Sequence, residues 1–138
     1  MNLKILKGTL FGGIAYFLLG WLVYGILMMD FSLSNYNQCM NRPATDMIWW
    51  AMIVSNLGYA LFLTLILRWS GAKGLIDGLK TGALIGLLLS FTLDMSFYST
   101  TSMFNSFGVI GVDILVSTFM AAVIGGIIVL LWGKEKTS

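Results

Sequence analysis

Histidine is missing from the 138-residue chain, and there is one cysteine, Cys39. Without histidine there is no bis-His haem, no His-ligated zinc or copper and no histidine general base. A lone cysteine forms neither an internal disulfide nor a thiolate cluster. Charge is equally scarce: 10% of residues are Asp, Glu, Lys or Arg, and the net charge is +2. That is too little for a nucleic-acid footprint, which needs a basic patch or stripe. Proline occurs once, at Pro43, and the single glutamate, Glu135, lies in the C-terminal tail.

Hydrophobic residues make up 58% of the chain, and the mean hydropathy is +0.89. Soluble domains are about a quarter charged and under half apolar. The composition therefore excludes a soluble enzyme or a disordered tail and leaves a multi-spanning membrane protein whose main partner is the lipid bilayer. A bilayer core takes about 20 apolar residues per helix. Four stretches reach that length: about 10–29, 47–67, 74–98 and 107–132. They lack the roughly 10-residue alternation of an outer-membrane barrel. The expected fold is all-α, an integral membrane bundle of four transmembrane helices forming one domain over 1–138. Lys4 and Lys7 precede the first span as in a signal peptide, but the apolar run is too long and no small-residue cleavage site follows Met29.

Seven cations, Lys4, Lys7, Arg68, Lys73, Lys80, Lys134 and Lys136, fall on one side of such a bundle, and Arg42 alone falls on the other. The positive-inside rule then places both termini in the cytoplasm. It also opposes dual-topology insertion. Trp49 and Trp50 would mark the outer interface, Trp69 and Trp132 the inner one. Outside, a polar loop over 30–46 and a short Ser/Thr-rich connection over 99–106 are expected, with no soluble domain.

Small residues recur every four positions in the third span, Gly74, Gly78, Gly82, Gly86, Ser90, and end on Asp94. The fourth span carries Asp113, Ser117, Ala121 and Gly125 at the same spacing. Such ridges let helix backbones approach closely, so Gly78, Gly82, Gly86, Ser90, Ala121 and Gly125 are expected to pack these spans together. Facing ridges would bring Asp94 and Asp113 to the same end. Span one has a looser version, Gly8, Gly12, Tyr16, Gly20 and Tyr24. Lys7-Gly8 and Lys80-Thr81-Gly82 open spans one and three alike, a faint sign of a duplicated hairpin.

Carboxylates inside a membrane are costly and usually mark a pathway or relay. Two that lie close together rarely both ionise, so Asp94 and Asp113 are expected to share a proton near neutral pH. Asn56, Tyr59, Thr92 and Ser117 are the neutral candidates for a polar pocket open to the outside, with Arg42 as a cationic partner. A purely structural alternative has Asp113 answering the helix dipole of the fourth span and Asp94 capped by the Ser/Thr loop or snorkelling to the interface. Asp77 and Lys80 read as an interfacial ion pair. The Met-rich outer side beside Cys39 suits cuprous copper by ligand type, but lacks tight Met-x-x-Met spacing, and Met is an ordinary core filler. No cofactor or metal is expected.

Gly20-Trp21 through Tyr24-Gly25, Gly82 through Leu87, Thr92-Leu93-Asp94, Val112-Asp113 and Gly125-Gly126 resemble small bacterial four-span membrane proteins of unknown-function families. The resemblance implies the four-span topology and one Asp late in span three with another early in span four. It implies no activity. The sequence departs from one such family at Phe97, where that family tends to carry Asn. Small multidrug transporters rely on a Glu in span one, which is lacking here. Fluoride channels are similar in Asn56-Leu57-Gly58 and Thr100-Thr101-Ser102-Met103-Phe104, without their full phenylalanine pattern. The expected function is binding or transport of a small solute or ion through an outward-facing polar pocket. The alternative is a non-catalytic accessory or assembly subunit of a larger membrane complex. Four spans enclose little volume, which suits a homodimer. An enzyme is not expected, since no nucleophile–base pair is present.

Overall fold

A computed structural model describes residues 3–36 and 44–132. All the long elements among them are helices. α1 spans Leu3–Leu22 and runs into a π-helical turn, Val23–Leu27. A short α2, Met29–Asn35, follows, and a 3₁₀ turn, Ala44–Asp46, precedes α3, Trp49–Trp69. α4 covers Leu75–Thr100 and α5 covers Phe107–Trp132. The segments Leu3–Leu27, α3, α4 and α5 are long and apolar enough to cross a membrane. The protein is an all-α bundle of four such helices.

Two boundaries differ from the sequence reading. The first helix begins at Leu3, about two turns before the apolar run. Lys4 and Lys7 are good helix formers, so charge ends the apolar stretch without ending the helix. The polar stretch after Met29 is also helical as far as Asn35, because Phe31 gives it an apolar anchor. Arg42 and Cys39 lie outside the described residues, as do Lys134 and Lys136.

α5 is the hub, touching α1, α3 and α4, while its tightest partner is α4. Small residues explain that closeness. A Cβ added at Gly78 would lie 2.6 Å from the carbonyl oxygen of Gly125. One at Gly82 would meet the Ala121 carbonyl, and one at Gly86 would meet the Ala121 side chain. The ridge Gly78–Gly82–Gly86–Ser90–Asp94 is buried along its whole length, and of the six expected packing positions Gly78, Gly82, Gly86, Ala121 and Gly125 lie where the two helices meet, while Ser90 is buried one step beyond, at the cavity. The looser ridge of α1 works similarly: Gly8 abuts Thr64 and Ile128, and Gly12 abuts Ile128 and Ala60.

The helices close tightly at the end that holds Lys4 and Trp132. Leu63, Leu67, Ile124, Ile128 and Val129 form the buried core there. The Trp132 indole N–H donates to the Lys4 carbonyl at 2.9 Å, and the Lys4 ammonium lies 5.5 Å from the Trp132 ring centroid. At the far end the bundle is looser, and a cap replaces the core. Phe104, Val109 and Ile110 pack under Phe31, Tyr36 and Met103. Asn105 ties the 101–106 connection to α2, its backbone N–H donating to Asn35 O at 3.1 Å and its amide to Ser34 O at 3.2 Å. Trp49, Trp50 and Trp69 stand exposed on the outer faces, available to lipid.

The Asp77–Lys80 ion pair does not form. The Asp77 carboxylate instead accepts the Lys73 backbone N–H at 3.2 Å, tying the residue before the N-cap of α4 to its first turn.

Replacing Gly82 by Ala must push apart two backbones and should cost about 1–3 kcal/mol. Gly58→Ala faces open space and should be neutral or slightly stabilising, since Ala is the better helix former. Thermal unfolding of the two variants in mild detergent checks this difference.

Candidate functional site

Asp94 ends the buried ridge of α4, and Asp113 heads the facing ridge of α5. Their side chains come together beneath the far-end cap, where a cavity of about 300 Å³ opens among α1, α3, α4 and α5. Its lining includes Tyr16, Tyr59, Ser90 and Ser117 besides the two carboxyls.

The two carboxyls differ in how they are held. Oδ1 of Asp113 accepts hydroxyl hydrogen bonds from Tyr36 at 3.0 Å and Tyr24 at 3.3 Å. The Tyr24 hydroxyl also stands 3.5 Å from Ser117 Oγ. Asp113 is thus a fixed, half-buried acceptor. Asp94 is only 7% exposed, and its Oδ2 has no hydrogen-bond partner. A buried carboxyl oxygen with no donor is expensive, and natural structures rarely keep one without a reason.

Tyrosine placement depends on local backbone. Tyr16, Gly20 and Tyr24 follow the four-residue ridge of α1, where a Cβ at Gly20 would make only ordinary contact with the Met120 side chain of α5. Beyond Leu22 the helix widens into the π turn, closed by Met28 N–H donating to Val23 O at 2.7 Å. Such one-turn bulges re-aim side chains and recur at functional sites. Tyr24 sits in this turn, and Tyr36 sits just after α2. Burial first, then the nearby Asp113 charge and the bond to it, hold the Tyr36 phenol well above its ordinary value of 10, so it stays a neutral donor.

The chain matches no protein-family model, no curated protein and no solved structure.

Of the six residues expected in the pocket, four come together: Asp94, Asp113, Tyr59 and Ser117. Thr92 does not join them. Two residues before Asp94, it points about 160° away around α4; it is exposed and donates to its own Leu88 carbonyl at 2.7 Å. Asn56 also misses the cavity. It donates to Met52 O at 2.7 Å and lines a separate groove of about 530 Å³ between α1 and α3, which also holds Trp21 and Trp49. Tyr16 lines both spaces. The purely structural alternative finds little support. Ser99, Thr100 and Thr101 hydroxyls bond α4 carbonyls rather than Asp94, and Asp113 lies past the first turn of α5, where the helix dipole has faded. Tyr24 and Tyr36 were missed as ligands of Asp113. The spacing of Tyr16 and Tyr24 on the α1 ridge pointed toward the first of them, while nothing in the sequence pointed to Tyr36. Among the described residues no group of three acidic or cysteine side chains offers a metal centre.

The unequal holding of the pair predicts unequal variants. Asp113→Ala strips the acceptor from two tyrosine hydroxyls and should cost about 1–3 kcal/mol or more. Asp94→Asn supplies an amide in place of an orphaned carboxyl oxygen and should melt at or above wild type. Melting curves of both, measured side by side, decide it.

Proposed function

We propose that this protein is a small multi-pass transporter or solute-binding protein of the bacterial cytoplasmic membrane, working through the Asp94–Asp113 cavity. The supporting observation is the buried, partnerless Asp94 oxygen in a cavity beside a carboxylate fixed by two tyrosines. A group held unsatisfied at a cost to stability is the kind that natural selection keeps for binding. Membrane-embedded carboxylates of this type carry protons or hold charged solutes. The cavity is lined by two acidic side chains and no lysine or arginine among the described residues, which suits an arriving cation. Tyr16, between the cavity and the α1–α3 groove, separates the polar site from a laterally open, aromatic approach.

The orientation belongs to the same proposal: seven of the eight cations flank the Lys4–Trp132 end, which makes that end cytoplasmic and opens the Asp end to the outside. The likeness to uncharacterised bacterial four-span families fits the placement. Homodimerisation would supply the rest of a pathway that four helices enclose only in part.

Currents on a solid-supported membrane test the function. Proteoliposomes of wild type should give transient charge movement on jumps of a cationic solute or of pH, and Asp94→Asn should abolish it. Wild-type silence toward every charged solute would overturn the reading and turn attention to a role as an accessory subunit.

Orientation has its own check in the single cysteine. A membrane-impermeant maleimide should label Cys39 in intact spheroplasts. On a Cys39→Ser background, Ser138→Cys should react only after permeabilisation. The reverse pattern would place the termini outside.

A further inference from the structure

Cavity size, wall chemistry and the orphaned oxygen together narrow the class of cation; the inference rests on the binding role proposed above. The cavity, about 300 Å³, lies at the lower edge of small-molecule sites, which run roughly 300–1,000 Å³. A bare metal ion would leave most of it empty. Its walls also suit a metal ion poorly. Hard cations want several oxygen ligands, yet Asp113 Oδ1 already accepts two phenols and the Ser90 hydroxyl turns back to Gly86 O at 2.6 Å. Much of the remaining lining is aromatic or apolar: Tyr16, Tyr59, Phe97, Leu93 and Met103. The Tyr16 and Tyr59 rings pack against each other, 4.7 Å apart centroid to centroid and tilted by 38°. Aromatic rings attract diffuse organic cations through the ring quadrupole. No lysine or arginine lines the cavity among its described residues. A quaternary ammonium would satisfy the rings but bring no hydrogen for Asp94 Oδ2, which needs a donor.

We propose that the Asp94–Asp113 cavity binds a small protonated alkylamine, its N–H donated to the Asp94 carboxyl and its alkyl groups set against Tyr16, Tyr59 and Phe97. The amine cation offsets carboxylate charge that is otherwise held inside the apolar bundle. Asp113, held by Tyr24 and Tyr36, orients the pair and leaves Asp94 as the contact. No bond is made or broken; the ligand binds as the ion it already is.

The test is thermal unfolding of the purified full-length protein in detergent at neutral pH and constant ionic strength, with four probes: trimethylammonium chloride, tetramethylammonium chloride, sodium chloride and the neutral tert-butanol. Trimethylammonium should raise the melting temperature saturably. Tetramethylammonium should need about tenfold more for the same shift, the loss of one charge-assisted hydrogen bond. Sodium and tert-butanol should give none. Asp94→Asn should lose the trimethylammonium response. Tyr59→Leu should weaken it by about tenfold, while Tyr59→Phe, which keeps the ring, should not. The tyrosine variants serve as the test should Asp94→Asn fail to fold. Equal shifts from sodium and trimethylammonium, both lost in Asp94→Asn, would overturn the amine assignment and leave the binding site standing. An unresponsive wild type, with Asp94→Asn melting well below it, would overturn both. A trimethylammonium response that survives in both Asp94→Asn and Tyr59→Leu would place amine binding elsewhere on the protein and also refute the assignment.

Discussion

The near-contact of the α4 and α5 backbones is the constraint on which the rest of this structure depends. Gly78 and Gly125 lie against each other's carbonyls, and Gly82 lies against that of Ala121. In lipid, apolar burial gives little drive for helices to associate, so close van der Waals approach must supply it. Because both ridges run in steps of four, that contact also sets the axial register of the two helices. The register carries Ser90 to the level of Ser117 and Asp94 to that of Asp113. The carboxyl pair is therefore a by-product of how the glycines mesh: a slip of one ridge step along either helix would separate the two acids by a helical turn.

The bundle divides its work along its length. At the Lys4–Trp132 end, Leu63, Leu67, Ile124 and Ile128 are wholly buried and hold four helices together. At the other end side chains give way to a cavity, and stability passes to a cap made from α2 and the 101–106 connection. A polar site can be tolerated there because the opposite end carries the cohesion. The tyrosines join the two halves: Tyr59 packs against the core cluster and also faces the cavity.

The sequence told much about the architecture and half of the site. Long apolar runs and four-residue ridges depend on local composition, so four helices and the α4–α5 interface were legible, as was the meeting of Asp94 with Asp113. Asn56 and Thr92 were misplaced because polarity alone does not say which way a residue faces; their positions around α3 and α4 do. Thr92 lies across the helix from the ridge that ends at Asp94. Tyr36 was beyond reach because its place depends on a bulge in α1, a short helix after it and a single bridge to Phe104. None of these follows from hydropathy.

The π turn at Val23–Leu27 has a consequence for how this site can vary. A π turn holds one residue more than the α-helical turn it replaces. Everything after it is rotated by about 100° relative to an uninterrupted helix. Tyr24 lies within the turn and Tyr36 beyond it, yet both hydroxyls end on the same oxygen of Asp113. Their convergence is a matter of phase. Loss of Gly25 or Ile26 would leave every side chain of the site chemically intact and still turn Tyr36 away from its acceptor, so in this stretch chain length is as much a part of the site as residue identity.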